Sequence, residues 1–331
     1  MKNNLAMPEL SGLDVSKINQ IYFVACGTAY HASLYAQYLL RTWIDLPIYC
    51  ISASEFRYGN YRIDENTLCI FVSQSGETAD TLAALKLSKE NKAQTLAVTN
   101  VLGSSLARLS DFVLYTCAGP EIAVASTKAY TTQLVLLACL CLKLAALCNG
   151  DVENKYNMID QLKQMPEVVE EMLQQEDKMA EFAKLLTNQK DAYFIGRQLD
   201  YLSVLEGALK LKEVSYVHAD AYMAGELKHG PIALIEKDTV VIALATQPSV
   251  AQKTISNILE TVARGAKVIL ITSKNQNAEG FDYVIRIPDV DPLFSCIPAT
   301  VLLQELAYYV AKEKGCDVDK PRNLAKSVTV E

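Results

Sequence analysis

The sequence predicts an α/β protein made of two doubly wound parallel-sheet domains in tandem, followed by a C-terminal tail. Three observations predict it. Short continuous apolar runs alternate with segments of helical periodicity, as in parallel sheets covered on both faces. The alternation occurs twice with a fixed spacing. A length of 331 residues, at roughly 150 residues per domain, suits two domains.

In the first half, runs at 21–25, 68–72, 95–99 and 112–115 read as strands; in the second, the runs are 192–195, 239–245, 268–272 and 283–287. Gln20 matches Asp191, Thr67 matches Asp238 and Asp111 matches Asp282 at one offset of 171 residues (191 − 20, 238 − 67, 282 − 111). Residues 78–90 and 250–264 carry helical periodicity between strands, and each half closes with a long apolar helix, near 131–147 and 300–314. The run at 134–148 is too short for a membrane span of about 20 apolar residues; it contains Lys143 and ends at Asn149-Gly150, so it reads as a buried helix. The stretch between the halves is rich in Glu, Lys, Gln and Met with Pro166 as its breaker, and reads as helical. The expected organisation is a first domain at 1–150, a helical connection at 151–190, a second domain at 191–314 and a tail at 315–331 too polar to be core.

Composition narrows the function. Half the residues are apolar and 21% are charged, ample for two cores and no basis for disorder. A net charge of -7 argues against nucleic acid or anionic membrane as partner, since both need a basic face. Nine scattered cysteines without a CxxC pair read as reduced core residues in a cytoplasmic protein, and the start, Met1-Lys2-Asn3-Asn4, lacks the apolar core of a signal peptide. The histidines, His31, His218 and His229, have no metal-ligand spacing, so no metal or cofactor is expected.

In open parallel sheets, ligands bind beyond the carboxyl ends of the strands. There Ser73, Gln74, Ser75, Gly76, Glu77 and Thr78 join a strand to a helix, placing three hydroxyls and backbone N–H groups at a positive helix end. An ordinary helix cap needs one hydroxyl; three make a phosphate cradle. Loops containing Thr28 and Ser126 fall on the same edge and suit a small phosphorylated polyol. In the second half, Glu206, Lys210 and Glu213 share one helix face at i, i+4 and i+7, which fits either an acid/base group or a solvated salt-bridged stripe. His229, between Gly225 and Gly230, is the better histidine for proton transfer; His218 reads as structural.

These residues carry a resemblance. Cys-Gly-Thr at 26–28, Ser-Gln-Ser-Gly-Glu-Thr at 73–78, Ala-Ser-Thr-Lys at 125–128, Glu-Gly-Ala-Leu-Lys-Leu-Lys-Glu at 206–213, Gly-Glu-Leu-Lys-His-Gly-Pro at 225–231 and Pro-Arg-Asn-Leu-Ala-Lys-Ser-Val-Thr-Val-Glu at 321–331 stand in order. Together they resemble the isomerase half of the glucosamine-6-phosphate synthases; single motifs point only to a sugar isomerase (SIS) domain, and the tail narrows it. The resemblance implies two flavodoxin-like SIS domains and conversion of fructose 6-phosphate toward glucosamine 6-phosphate, with glucose 6-phosphate as a further ligand and no cofactor. It implies that Ser73, Gln74, Ser75 and Thr78 hold the phosphate with Thr28 nearby. It implies further that Lys326 forms an imine with the open-chain ketose, that Glu213 moves the proton between C1 and C2, that His229 opens the ring, and that Lys210 and Glu206 support them. The histidine loop reaching a neighbouring subunit implies a homodimer with shared active sites. Ala29 stands where the family often has Ser. The full synthases also carry an N-terminal glutaminase domain; a start shortly before the first strand favours an excised isomerase half. The alternatives are an aminosugar or fructosamine phosphate deaminase of the same fold, and a non-catalytic sugar-phosphate sensor.

Overall fold

The computed structural model describes residues 5–150, 152 and 155–330. The described residues fall into two compact units: those of Met1–Ile122, Ser126–Ile159 and Ala325–Glu331 form the first, and those of Ala123–Ala125 and Asp160–Leu324 the second.

The first unit runs β1 (Gln20–Ala25), α1 (Gly27–Trp43), β2 (Ile48–Ser52), α2 (Ala53–Phe56), β3 (Thr67–Ser73), α3 (Ala79–Glu90), β4 (Gln94–Thr99), α4 (Ser105–Leu109), β5 (Phe112–Tyr115) and α5 (Lys128–Leu147). Its sheet is parallel in the order β2-β1-β3-β4-β5, with Gln20 opposite Thr67 and Ala25 opposite Val72. All seven residues of β3 are buried, which is why its sequence is a continuous apolar run rather than an alternation. Residues from Tyr22, Val24, Cys69 and Phe71 form one core with Leu85 and Leu106. Each large side chain withdrawn from water there contributes about 1.5–3 kcal/mol.

Helix α5 begins at Lys128, six residues before the apolar run that reads as too short for a span. At 20 residues it has the length and hydropathy of a membrane helix, the one such helix among the described residues. It is instead a core element: Leu134, Leu137, Leu140, Cys141 and Leu144 are fully buried, and α1 packs along it. Cys148 caps it, and Asn149 follows at φ 55°, the left-handed turn that ends a helix.

Helices α6 (Lys155–Lys163), α7 (Met165–Leu173) and α8 (Glu176–Ala183) follow, with Pro166 in the first turn of α7, where its missing N–H costs nothing. The second unit then runs β6 (Asp191–Gly196), α9 (Leu199–Ser215), β7 (His218–Met223), β8 (Val240–Ala245), α10 (Ala251–Val262), β9 (Lys267–Ser273), β10 (Tyr283–Ile287) and α11 (Cys296–Glu313). Its parallel sheet has the order β7-β6-β8-β9-β10, the same topology as the first. Phe194 enters the core beneath α9 and α11 while its neighbours Tyr193 and Ile195 enter the core on the other face, as a strand covered on both sides requires.

The 171-residue offset holds for the starts of β1 and β6 (191 − 20) and of β5 and β10 (283 − 112), and slips by two between β3 at Thr67 and β8 at Val240 (240 − 67 = 173). Each sheet also has a fifth strand, β2 and β7, absent from the apolar runs. Both lie at sheet edges and are only partly buried; β7, His-Ala-Asp-Ala-Tyr-Met, has no hydrophobic run, and β2, Ile-Tyr-Cys-Ile-Ser, has only a short one. His218, which reads as structural, is the first residue of β7.

Candidate active site

In the first unit, β1 and β3 are neighbours and their helices leave from the point where strand order reverses, so the loops after Ala25 and Ser73 meet there. Gly27, at φ 55°, and Thr28 open α1. After β3 the chain folds on itself. Ser73 Oγ accepts the Gly76 N–H at 3.0 Å and lies 3.1 Å from Thr78 Oγ1, and Ser75 Oγ accepts the Glu77 N–H at 3.2 Å. Ser73 and Thr78 share one bond in which either hydroxyl can donate, leaving the other's hydrogen, and Ser75 accepts in both of its bonds and keeps its own O–H to donate, which is the polarity an anionic oxygen needs. Thr78 is the N-cap residue of α3 but its side chain does not cap the helix; it turns to Ser73. Gly76 is at φ 66°, and a Cβ there would lie 2.6 Å from Ser104 Cβ and 2.9 Å from Thr99 Oγ1, so only glycine fits.

Ser126 is half-buried two residues before α5. The start of that helix already has an anion: the Glu121 carboxylate accepts N–H groups of Thr127 at 3.2 Å and Ala129 at 2.7 Å and the Thr127 hydroxyl at 3.1 Å. Helix α5 therefore frames the edge rather than offering its own N-terminus.

The tail returns to this unit. Ser327 Oγ is 3.0 Å from Ser75 Oγ, and the Ala79 N–H at the first residue of α3 donates to Val328 O at 3.0 Å. Lys326, half-buried, directly precedes Ser327. Ser327 is a contact the sequence reading passed over; its only signal was its place beside Lys326. Upstream in the second unit the tail is held by Tyr216, whose hydroxyl accepts the Arg322 N–H at 2.8 Å while the Arg322 guanidinium stacks 4.1 Å from the ring centre.

In the second unit, α9 brings Glu206, Lys210 and Glu213 together. Lys210 Nζ lies 3.4 Å from Glu206 Oε1 and 2.5 Å from Glu213 Oε2. This is no solvated stripe: the side chains of Glu206 and Lys210 are 0% and 3% exposed, while Glu213 keeps 21%. Burial opposes charge on Lys210, but the two carboxylates outweigh it and push the ammonium above its ordinary range. The lysine is a fixed cation, and Glu213 is the member of the trio that reaches outward. His229 is exposed at the end of a 3-10 turn, Glu226–His229, followed by Gly230 at φ 143°.

Two tandem units with one parallel topology, a hydroxyl-rich loop at the switch point of the first and a buried carboxylate–lysine–carboxylate row in the second, define a double SIS-type α/β protein. The SIS domain family model matches residues 14–143 and 185–309. The chain is 52% identical over 324 residues to the isomerizing glutamine–fructose-6-phosphate aminotransferase of Clostridium acetobutylicum, covering 96% of this chain and 53% of that protein. To the Thermococcus kodakarensis protein of the same name it is 47% identical over 320 residues, again 96% and 53%. The solved C-terminal domain of glucosamine-fructose-6-phosphate aminotransferase from Francisella tularensis superposes with a TM-score of 0.88 at 39% identity, over 93% of this chain and 88% of that one. A glucosamine-6-phosphate deaminase from Thermotoga maritima gives 0.76 at 26% identity, over 97% and 95%. The chain belongs to the SIS domain family and, within it, to the isomerase half of the glutamine–fructose-6-phosphate aminotransferases. It spans about half the length of the curated relatives it matches.

Proposed function

We propose that the chain isomerises fructose 6-phosphate toward glucosamine 6-phosphate, acting as the isomerase half of a glucosamine-6-phosphate synthase. The observation that carries this reading is the contact between Ser327 and Ser75, which sets Lys326 one residue from the hydroxyl cradle. Ser73, Gln74, Ser75 and Thr78, with Thr28 and Ser126 at the rim, take the phosphate. The neutral amine of Lys326 adds to the C2 carbonyl of the open-chain ketose, and water leaves as the C=N bond forms. Ammonia then adds to the same carbon and the Lys326 amine departs, leaving a C=N to the new nitrogen; Glu213 removes a proton from C1 and returns one to C2, so C1 is oxidised as C2 is reduced and no outside electron acceptor is required. The fixed charge of Lys210, backed by Glu206, holds Glu213 in place between the two transfers. His229 opens the sugar ring from a neighbouring subunit of a homodimer, a role suited to an exposed side chain. In the longer relatives a glutaminase domain would supply the ammonia. Nine free thiols suit a cytoplasmic setting.

The deaminase reading is less favoured, because identity falls from 39% to 26% between the two solved structures. The sensor reading leaves the buried trio without a purpose. Borohydride reduction in the presence of fructose 6-phosphate should attach the sugar to Lys326, read by mass spectrometry of the C-terminal peptide. An adduct on Lys128 or Lys210, or an equal yield in Lys326→Arg, overturns the assignment.

A further inference from the structure

The second sheet repeats the first, and β8 stands where β3 stands, beside the first strand of its unit. The loop after β8 offers the same kind of donors as the cradle. They are taken. The Thr246 N–H donates to Asp200 Oδ2 at 2.8 Å and the Thr246 hydroxyl to Asp200 Oδ1 at 2.5 Å, with the Gln247 N–H a third donor. Asp200 is 2% exposed, in the first turn of α9. Its counterpart at the 171-residue offset (200 − 29) is Ala29, and each follows by two residues a position of left-handed backbone, Gln198 at φ 54° and Gly27 at φ 55°. A residue without a polar group leaves the first cradle open, and a carboxylate fills the second.

From this we infer that Asp200 is a built-in anion that occupies the second copy's cradle, closing it to phosphate and fixing the start of the helix that carries Glu206, Lys210 and Glu213. A second layer supports it. Thr246 Oγ1 is 2.9 Å from Ser295 Oγ, and Gln247 Nε2 donates to Ser295 Oγ at 2.8 Å and to Pro292 O at 3.0 Å. The carboxylate thus ties α9 to the end of β8 and to the residue that opens α11, the helix against which α9 packs. Glu206 lies six residues further along, about 9 Å at 1.5 Å per residue. Asp200 touches no substrate in this scheme; it is a positioning residue.

Two consequences separate this role from simple stabilisation. Removing the carboxylate vacates donors shaped for an anion, so Asp200→Ala should bind one additional inorganic phosphate per chain by calorimetry. Phosphate or formate should also raise its melting temperature more than that of the parent at equal ionic strength. Asp200→Asn, which keeps the shape and loses the charge, serves if the alanine variant does not fold, and should show a lower melting temperature without the anion rescue. The kinetic arm rests on the isomerase reading: Asp200→Ala should lose about tenfold or more in kcat on fructose 6-phosphate with KM unchanged, because the phosphate cradle belongs to the other unit, and formate should restore kcat. Unchanged phosphate stoichiometry together with no anion-dependent rise in melting temperature overturns the inference. So does a rise in KM with kcat intact. A parent protein inactive on fructose 6-phosphate sinks the isomerase reading instead, and the anion measurements still decide the role of Asp200.

Discussion

Ser327 Oγ lies 3.0 Å from Ser75 Oγ, so the last turn of the chain rests on the hydroxyl loop that follows β3. The Ser327 hydroxyl donates to Ser75 Oγ, which leaves the Ser75 O–H as the donor aimed at any anion the loop holds. Replacing Ser75 and Thr78 with Ala should each weaken hexose 6-phosphate binding by about 1.5–3 kcal/mol, the worth of a hydrogen bond to a charged group. Isothermal titration with fructose 6-phosphate reads this directly, and an unchanged affinity removes the loop from the site.

Lys210 is bound to two carboxylates, yet only Glu213 reaches toward solvent. Glu213→Gln retains the size and takes away the base. Exchange of the C1 or C2 hydrogen with solvent should stop while sugar binding persists. Lys210→Met should instead lower the melting temperature, because it leaves the buried Glu206 carboxylate, with Glu213 beside it, without a cation, a change of about 3–5 kcal/mol. Exchange at the parental rate in the glutamine variant would refute the role given to Glu213.

His229 tests the shared site. Subunits carrying His229→Ala and subunits carrying Glu213→Gln should each be inactive alone. Mixed and allowed to exchange, they should regain up to one working site per heterodimer. No recovery after verified exchange means that His229 acts within its own chain or not at all.

How much of this was legible follows from where burial is demanded. Strands β1, β3, β4, β6, β8 and β9 are buried along most of their length, so continuous apolar runs announce them; the edge strand β7 reads His-Ala-Asp-Ala-Tyr-Met and has no such run, while β2, Ile-Tyr-Cys-Ile-Ser, has a short one that the sequence reading passes over. The spacing of Glu206, Lys210 and Glu213 fixed a shared face but not its burial, because an exposed stripe has the same spacing. That answer comes from the sheet and from α11 packed on α9, contacts distant in sequence. Asp200 had no signal at all: a single aspartate near a helix start reads as a cap, and only the meeting of its carboxylate with Thr246 gives it another meaning. The comparison with the F. tularensis domain supports the family drawn from the motifs, while the roles of the individual site residues rest on the experiments proposed for them.

Gly76 offers a test of the loop's shape. It sits at φ 66°, and a Cβ would press on Ser104 and Thr99, short side chains that cannot swing away. Gly103, at φ 68°, has nothing within 4 Å of the same added atom. Gly103→Ala should therefore cost only the left-handed backbone, about 1–2 kcal/mol. Gly76→Ala adds overpacking of about 1–3 kcal/mol and should also disturb the Leu106 N–H bond to Gly76 O, 3.0 Å long. Chemical denaturation of both variants compares them; equal losses would mean that the loop relaxes freely.

Glu305, half-buried on α11, gives the molecule a dependence on pH remote from the cradle. Burial, and then the charge of Glu176 on α8, push its carboxyl up to about 7, and the Tyr309 hydroxyl donates at 3.0 Å to Glu176 rather than to Glu305. Between the ordinary glutamate value of 4.5 and about 7 the folded chain holds a proton that the unfolded chain has released. In that window the native state binds more protons, so this group makes stability fall as pH rises, with the loss complete above about pH 7 and absent below about 4.5. Glu305→Gln fixes the neutral form. Its melting temperature should decline less than that of the parent between roughly pH 5 and pH 8, with the variant the more stable of the two at the alkaline end. Parallel melting curves for the two proteins across that range would show that Glu305 ionises as easily in the folded chain as in the unfolded one.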